Sequence, residues 1–119
     1  MSAYPLLEMA ERRVLRPASL EAFDHLLPTL AKRELEVLHA LCRYVEVGGH
    51  ENATGGELAR WAGLSLLQVR PRLTGLAQKG LVLSGAMRAS RCPGELRCHP
   101  VWPTVSLAAV ERALAASRA

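Results

Sequence analysis

The residues with most chemistry to offer lie between positions 54 and 103. That segment holds Arg60, Arg70, Arg72, Lys79, Arg88, Arg91 and Arg97 against only Glu57 and Glu95, a net of +5, while residues 1–53 carry six Lys/Arg against eight Asp/Glu. Guanidinium groups pair well with phosphate and carboxylate oxygens, so such a stretch is either a face for a polyanion or an idle solvated surface. Cys92, Cys98 and His99 also stand close together. Thiolate and imidazole are ligands that zinc prefers, but without a Cys-x-x-Cys pair the readings are free thiols, then a reversible disulfide, then a metal clip. No metal or other cofactor is expected.

Enzyme motifs are missing. The chain has no Gly-rich phosphate loop, no nucleophile elbow and no carboxylates clustered in a pocket-forming element; Glu34 and Glu36 merely share one helix. A binding protein is expected, not a catalyst. The 119 residues are half hydrophobic and 22% charged, with a net charge of +4, which suits one small core. Glu8, Glu11, Arg12 and Arg13 interrupt the only apolar start, so neither a signal peptide nor a membrane span is expected. Three cysteines are too few for the disulfide framework of a secreted domain, which points to a reducing cytoplasm.

The elements that must position the basic residues follow from periodicity and punctuation. Two short helices are predicted in the first 30 residues, one over Leu6–Leu15 and one capped by Ser19, separated by Pro17 and ended or kinked at Pro28. A longer helix over Ala31–Val45 places Leu35, Leu38, Leu41, Cys42 and Val45 on one buried face. Val47–Ala53 reads as a loop with a short strand near Ala53. Thr54 with Glu57, and Ser65 with Gln68, each have capping-box spacing, so two helices begin there only a few residues apart. The second runs over residues 66–79, with Val69, Leu73, Leu76 and Ala77 inward, and Gly80 ends it. Leu81–Leu83 and Leu96–Trp102 then predict a hairpin with its tip between Ser90 and Glu95 and with Pro100 confining the return strand to an edge. A last helix runs from Ser106 to about Ser117. Trp61 and Trp102 are expected in packed positions, with the indole N–H groups satisfied locally.

Two capped helices, a tight turn and a basic hairpin occur here in the order of a winged helix-turn-helix. Ala59, Gly63 and Val69 occupy the small, glycine and β-branched positions of that motif: close approach, positive φ, and packing of the second helix on the first. The chain resembles small winged-helix proteins of phages and prophages over roughly residues 30–102. The shared features are Leu-x-x-Arg-Glu-x-x-Val-Leu (Leu30 to Leu38), Val-Arg-Pro-Arg-x-x-x-Leu (Val69 to Leu76), and a Gly-x-x-Arg wing (Gly85 to Arg88) ending in Val101-Trp102.

The resemblance implies a mainly α winged helix-turn-helix, a three-helix core plus β-hairpin wing at residues 30–103. An N-terminal helical extension (1–29) and a C-terminal helix (104–119) flank it. It implies a transcriptional regulator that binds double-stranded DNA through helix 66–79 in the major groove and wing 81–102 on the backbone or minor groove. On the helical wheel Leu67, Gln68, Pro71, Thr74, Gly75 and Gln78 face outward, with Arg70 and Arg72 on the flanks. Gln68 suits adenine, Arg70 or Arg72 suits guanine, Leu67 suits a thymine methyl, and amides near Ser65 suit a phosphate. Arg88, Arg91 and Arg97 would anchor the wing on the backbone. Pro71 lies inside the recognition helix, as the family pattern has it. A homodimer through the faces Leu6–Leu15 and Leu107–Leu114 is expected, unless those faces close the monomer's own core. The alternative is a winged-helix adaptor that docks on replication or transcription machinery, because the outward face is rather apolar.

Overall fold

The computed structural model describes residues 18–118; the helix expected over Leu6–Leu15 lies outside the described residues. The described chain is mainly helical with one small antiparallel sheet. In order it forms α1 (Ala18–Leu26), α2 (Lys32–Glu46), α3 (Gly55–Ala62), α4 (Leu66–Gln78), β1 (Val82–Ser84), β2 (Val101–Pro103) and α5 (Leu107–Arg118). Ser19, expected just before this helix, lies within α1. Pro28 has its expected effect, since α1 stops at Leu26 and Leu27–Thr29 makes one turn of 3-10 helix.

The central element is α2, which packs against α3, α4, α5 and β2. Its three- and four-residue period carries Val37, Leu38, Leu41 and Cys42 fully into the core, where Leu58, Val69, Leu76, Val82 and Val110 meet them. Burial of each such side chain contributes about 1.5–3 kcal/mol, so a helix that packs against four other elements contributes much of the fold's cohesion. Ala31 is the N-cap, and its N–H donates to Glu34 Oε1 at 3.0 Å.

α3 and α4 both open on complete capping boxes. Thr54 Oγ1 accepts from the Glu57 N–H while Glu57 Oε1 accepts from the Thr54 N–H, and Ser65 and Gln68 repeat the exchange. Between the helices Gly63 adopts φ 70°, a left-handed conformation that costs a side-chain-bearing residue about 1–2 kcal/mol. The expected turn therefore forms where the glycine permits it.

The sheet departs from expectation. β1 and β2 pair over three residues only, Val82 with Pro103, Leu83 with Trp102 and Ser84 with Val101. Beyond them the hairpin is held by one further bridge, Arg88 to Cys98. Val101 also exchanges both backbone hydrogen bonds with Ala53, at 2.8 and 3.0 Å. The return strand is thus central at Val101, not an edge, because Pro100 precedes the doubly bonded residue and lends only its carbonyl, to the Gly85 N–H.

α5 buries Ala109, Val110 and Ala113 against the core of its own chain, and Leu107 N–H donates to Glu46 Oε2 at 2.7 Å. Part of the face expected to join two copies over Leu107–Leu114 therefore serves the chain's own core, with Leu107 and Leu114 half-buried against it. Among the described residues no helix is long and apolar enough to cross a membrane.

Candidate functional site

The outer side of α4 is where the sequence placed its candidate contacts. Leu67, Gln68, Pro71, Thr74 and Gln78 are all exposed, Leu67 to 86%. Val69, Leu73 and Leu76 point into the core as the wheel required, whereas Ala77, also expected inward, is exposed. Pro71 is accommodated inside the helix without ending it. Gly75 is the exception. A Cβ there would collide with Glu34 Oε2, so this glycine faces α2 and lets a carboxylate approach the helix.

The flanking arginines diverge. Arg70 is exposed, its Cγ lies 3.5 Å from where a Cβ on Gly55 would be, and its guanidinium reaches Cys98 Sγ at 3.8 Å, so it bridges α4, the start of α3 and the hairpin. Arg72 is half-buried, and its charge helps lower the Glu34 carboxyl, together with the Lys79 ammonium at 2.8 Å and the Ala31 N–H. Burial pushes that carboxyl up, and these partners outweigh it. Ser65 is exposed at the N-cap of α4, and the first-turn amides of Leu66 and Leu67 have no intrahelical acceptor by the geometry of a helix start. Gln68 is already engaged, since its Oε1 accepts from the Ser65 N–H at 2.9 Å.

The hairpin arginines do not act together. Arg88 turns inward and grips Glu57, with Nη2 at 2.7 Å from Oε1 and Nη1 at 2.9 Å from Oε2, and it also donates to Asn52 Oδ1. Arg91 donates to the same carboxylate from its side chain at 2.9 Å and from its backbone N–H, and its guanidinium lies over the Tyr44 ring. Both were expected on the outside; Arg88 is half-buried instead, while Arg91 is exposed but committed to Glu57. The cause is Glu57, whose side chain is 1% exposed and needs cationic partners to remain charged. Burial raises its carboxyl, but hydrogen bonds from Arg88, Arg91 and Thr54 hold it at about 2. Arg97 stays exposed, with only the Met87 carbonyl at 3.4 Å.

Sequence reasoning recognised Glu57 as a cap and missed it as the hairpin's anchor. No local signal joins it to an arginine 31 residues away. Trp61 is 43% exposed and stands edge-on to Tyr44, which stacks on His50; it is not a core residue. Trp102 is packed, but its indole N–H has no hydrogen-bond partner among the described residues. Cys42 is buried, and burial with the nearby Glu46 charge pushes its thiol up to about 12. Cys92 and Cys98 are half-buried free thiols. Among the described residues no group of three His, Cys, Asp or Glu side chains could hold a metal ion. Compared with protein-family models, curated proteins and solved structures, the chain matches none.

Proposed function

We propose that the chain is a winged helix-turn-helix protein that binds double-stranded DNA, with α4 in the major groove, and that it acts as a transcriptional regulator. One observation carries the reading. A reciprocally capped helix pair, bent at a left-handed glycine, leaves the outer side of its second helix exposed, and Arg70 and Arg97 beside it have no carboxylate partner among the described residues. A helix presented in this way fits the major groove, and guanidinium groups not neutralised by a carboxylate suit the flanking phosphates, Arg70 by giving up its weak contact with Cys98 Sγ. Arg88 and Arg91 support the hairpin and are not offered as DNA contacts. Two copies on a two-fold site would have to meet through a surface other than the inner face of α5.

A second reading, a protein-docking adaptor, is favoured by the exposure of Leu67, Leu96 (84%) and Met87 (50%). Salt separates the two. Each phosphate neutralised on a duplex contributes about 0.9 to the slope of log affinity against log salt. Fluorescence anisotropy with a labelled duplex pool, titrated at several salt concentrations, should give a slope of about −2 or steeper. A shallow slope with weak binding to every duplex would reject the DNA reading and leave the adaptor.

A further inference from the structure

Several polar groups of the α4 outer face are engaged within the protein. Gln68 Oε1 accepts from the Ser65 N–H, and Thr74 Oγ1 donates to the Arg70 carbonyl at 3.2 Å. Arg70 is drawn toward Cys98 Sγ at 3.8 Å, and Arg72 is half-buried at the flank of the face. Gly75, which the wheel assigned to this face, is occupied by the approach of Glu34. The Gln68 amide NH2 remains as a donor, but purine N7, guanine O6 and thymine O4 all accept from it, so it separates the bases poorly. Two exposed residues of this face are apolar, Leu67 at 86% and Pro71.

The major groove offers one apolar feature, the C5-methyl group of thymine. Leu67 and Pro71 are four residues apart, so they lie on one side of the helix about 6 Å apart along its axis, a span on the order of two base-pair steps. We propose that Leu67 and Pro71 read thymine methyl groups, which makes the preferred ligand A·T-rich duplex DNA selected through its methyls more than through hydrogen bonds. The inference rests on the duplex-DNA reading above and adds the base class to it.

The test compares three short duplexes of one length at one salt concentration: alternating A·T, the same duplex with uracil in place of thymine, and alternating G·C. Uracil removes only the methyl and leaves every hydrogen-bonding edge and phosphate. The A·T duplex should bind more tightly than the A·U duplex by about fourfold for each methyl buried, with an unchanged salt slope. Leu67→Ala, at an exposed position whose truncation leaves the core untouched, should lose the Leu67 share of that preference, about fourfold. Val47→Ala, also at an exposed position but on the loop after α2, should keep it. Equal affinity of the unaltered protein for A·T and A·U duplexes overturns the proposal while leaving DNA binding in place. Retention of the full preference in Leu67→Ala, or its loss in Val47→Ala, overturns the assignment to this face. No binding to any of the three overturns the duplex-DNA reading itself.

Discussion

Arg88 holds the Glu57 carboxylate in a two-pronged grip, 2.7 and 2.9 Å, and so ties the far part of the hairpin to the first turn of α3. The same carboxylate caps that turn by accepting from the Thr54 N–H. One buried side chain therefore fixes both where α3 begins and where the hairpin lies relative to it.

Removing that charge should loosen both. Glu57→Gln keeps a cap acceptor but leaves Arg88 and Arg91 around a neutral amide, and breaking a buried pair from one side costs about 3 kcal/mol. The pH dependence has a definite sign. The folded carboxyl sits at about 2 against an ordinary 4.5, so its stabilisation is complete above about pH 4.5 and is lost as the pH falls toward 2. Urea midpoints should therefore drop steeply across that interval in the unaltered protein and less in Glu57→Gln, where Glu34, also lowered, still contributes. Parallel profiles would show that Glu57 is not the group being titrated.

The two kinds of hairpin arginine should separate experimentally. Arg97→Ala removes an exposed cation with no carboxylate partner among the described residues, so the melting temperature should hold while the salt slope of DNA binding flattens by about 1. Arg88→Ala leaves Glu57 with an incomplete partner set and should lower the melting temperature by more than about 5 °C. An Arg97→Ala protein with unaltered DNA affinity and slope would remove the hairpin from the interface.

Gly63 tests the turn between α3 and α4. Gly63→Ala places a Cβ at φ 70° and should cost about 1 kcal/mol, while Gly63→Asn, whose side chain tolerates that conformation better, should cost less. Denaturant titration of the two variants gives the order directly. If alanine is tolerated as well as asparagine, the turn is not held in its left-handed form.

What the sequence made legible was local. The two capping boxes, the positive-φ turn at Gly63 and the inward stripe of α2 each depend on residues within one or two turns of each other, and all are present. What it hid was the choice of distant partner. Nothing near Arg88 distinguishes it from Arg97, yet one is bound to a buried carboxylate and the other is exposed. Pro100 argued for an edge by its own lack of an N–H, but the neighbour Val101 is the residue that pairs on both sides. The outward helix face was legible as a face, while the approach of Glu34 to Gly75 and of Cys98 to Arg70 depended on other elements.

Gly75 shows how such a long-range contact can be read back experimentally. In a helix interior alanine is favoured over glycine by about 1 kcal/mol, so Gly75→Ala would stabilise the protein if the position were as open as the helical wheel implies. Instead the new Cβ meets Glu34 Oε2, and relieving the contact means swinging a carboxylate that holds Lys79 Nζ at 2.8 Å and the Ala31 N–H at 3.0 Å. Gly75→Ala alone should therefore destabilise. Glu34→Ala removes the obstacle along with its bonds, and in that background the same substitution should stabilise by about 1 kcal/mol. The reversal of sign, read from urea titrations of the four proteins, measures the coupling between α2 and α4. The same sign in both backgrounds would mean that the glycine is not there to admit the carboxylate.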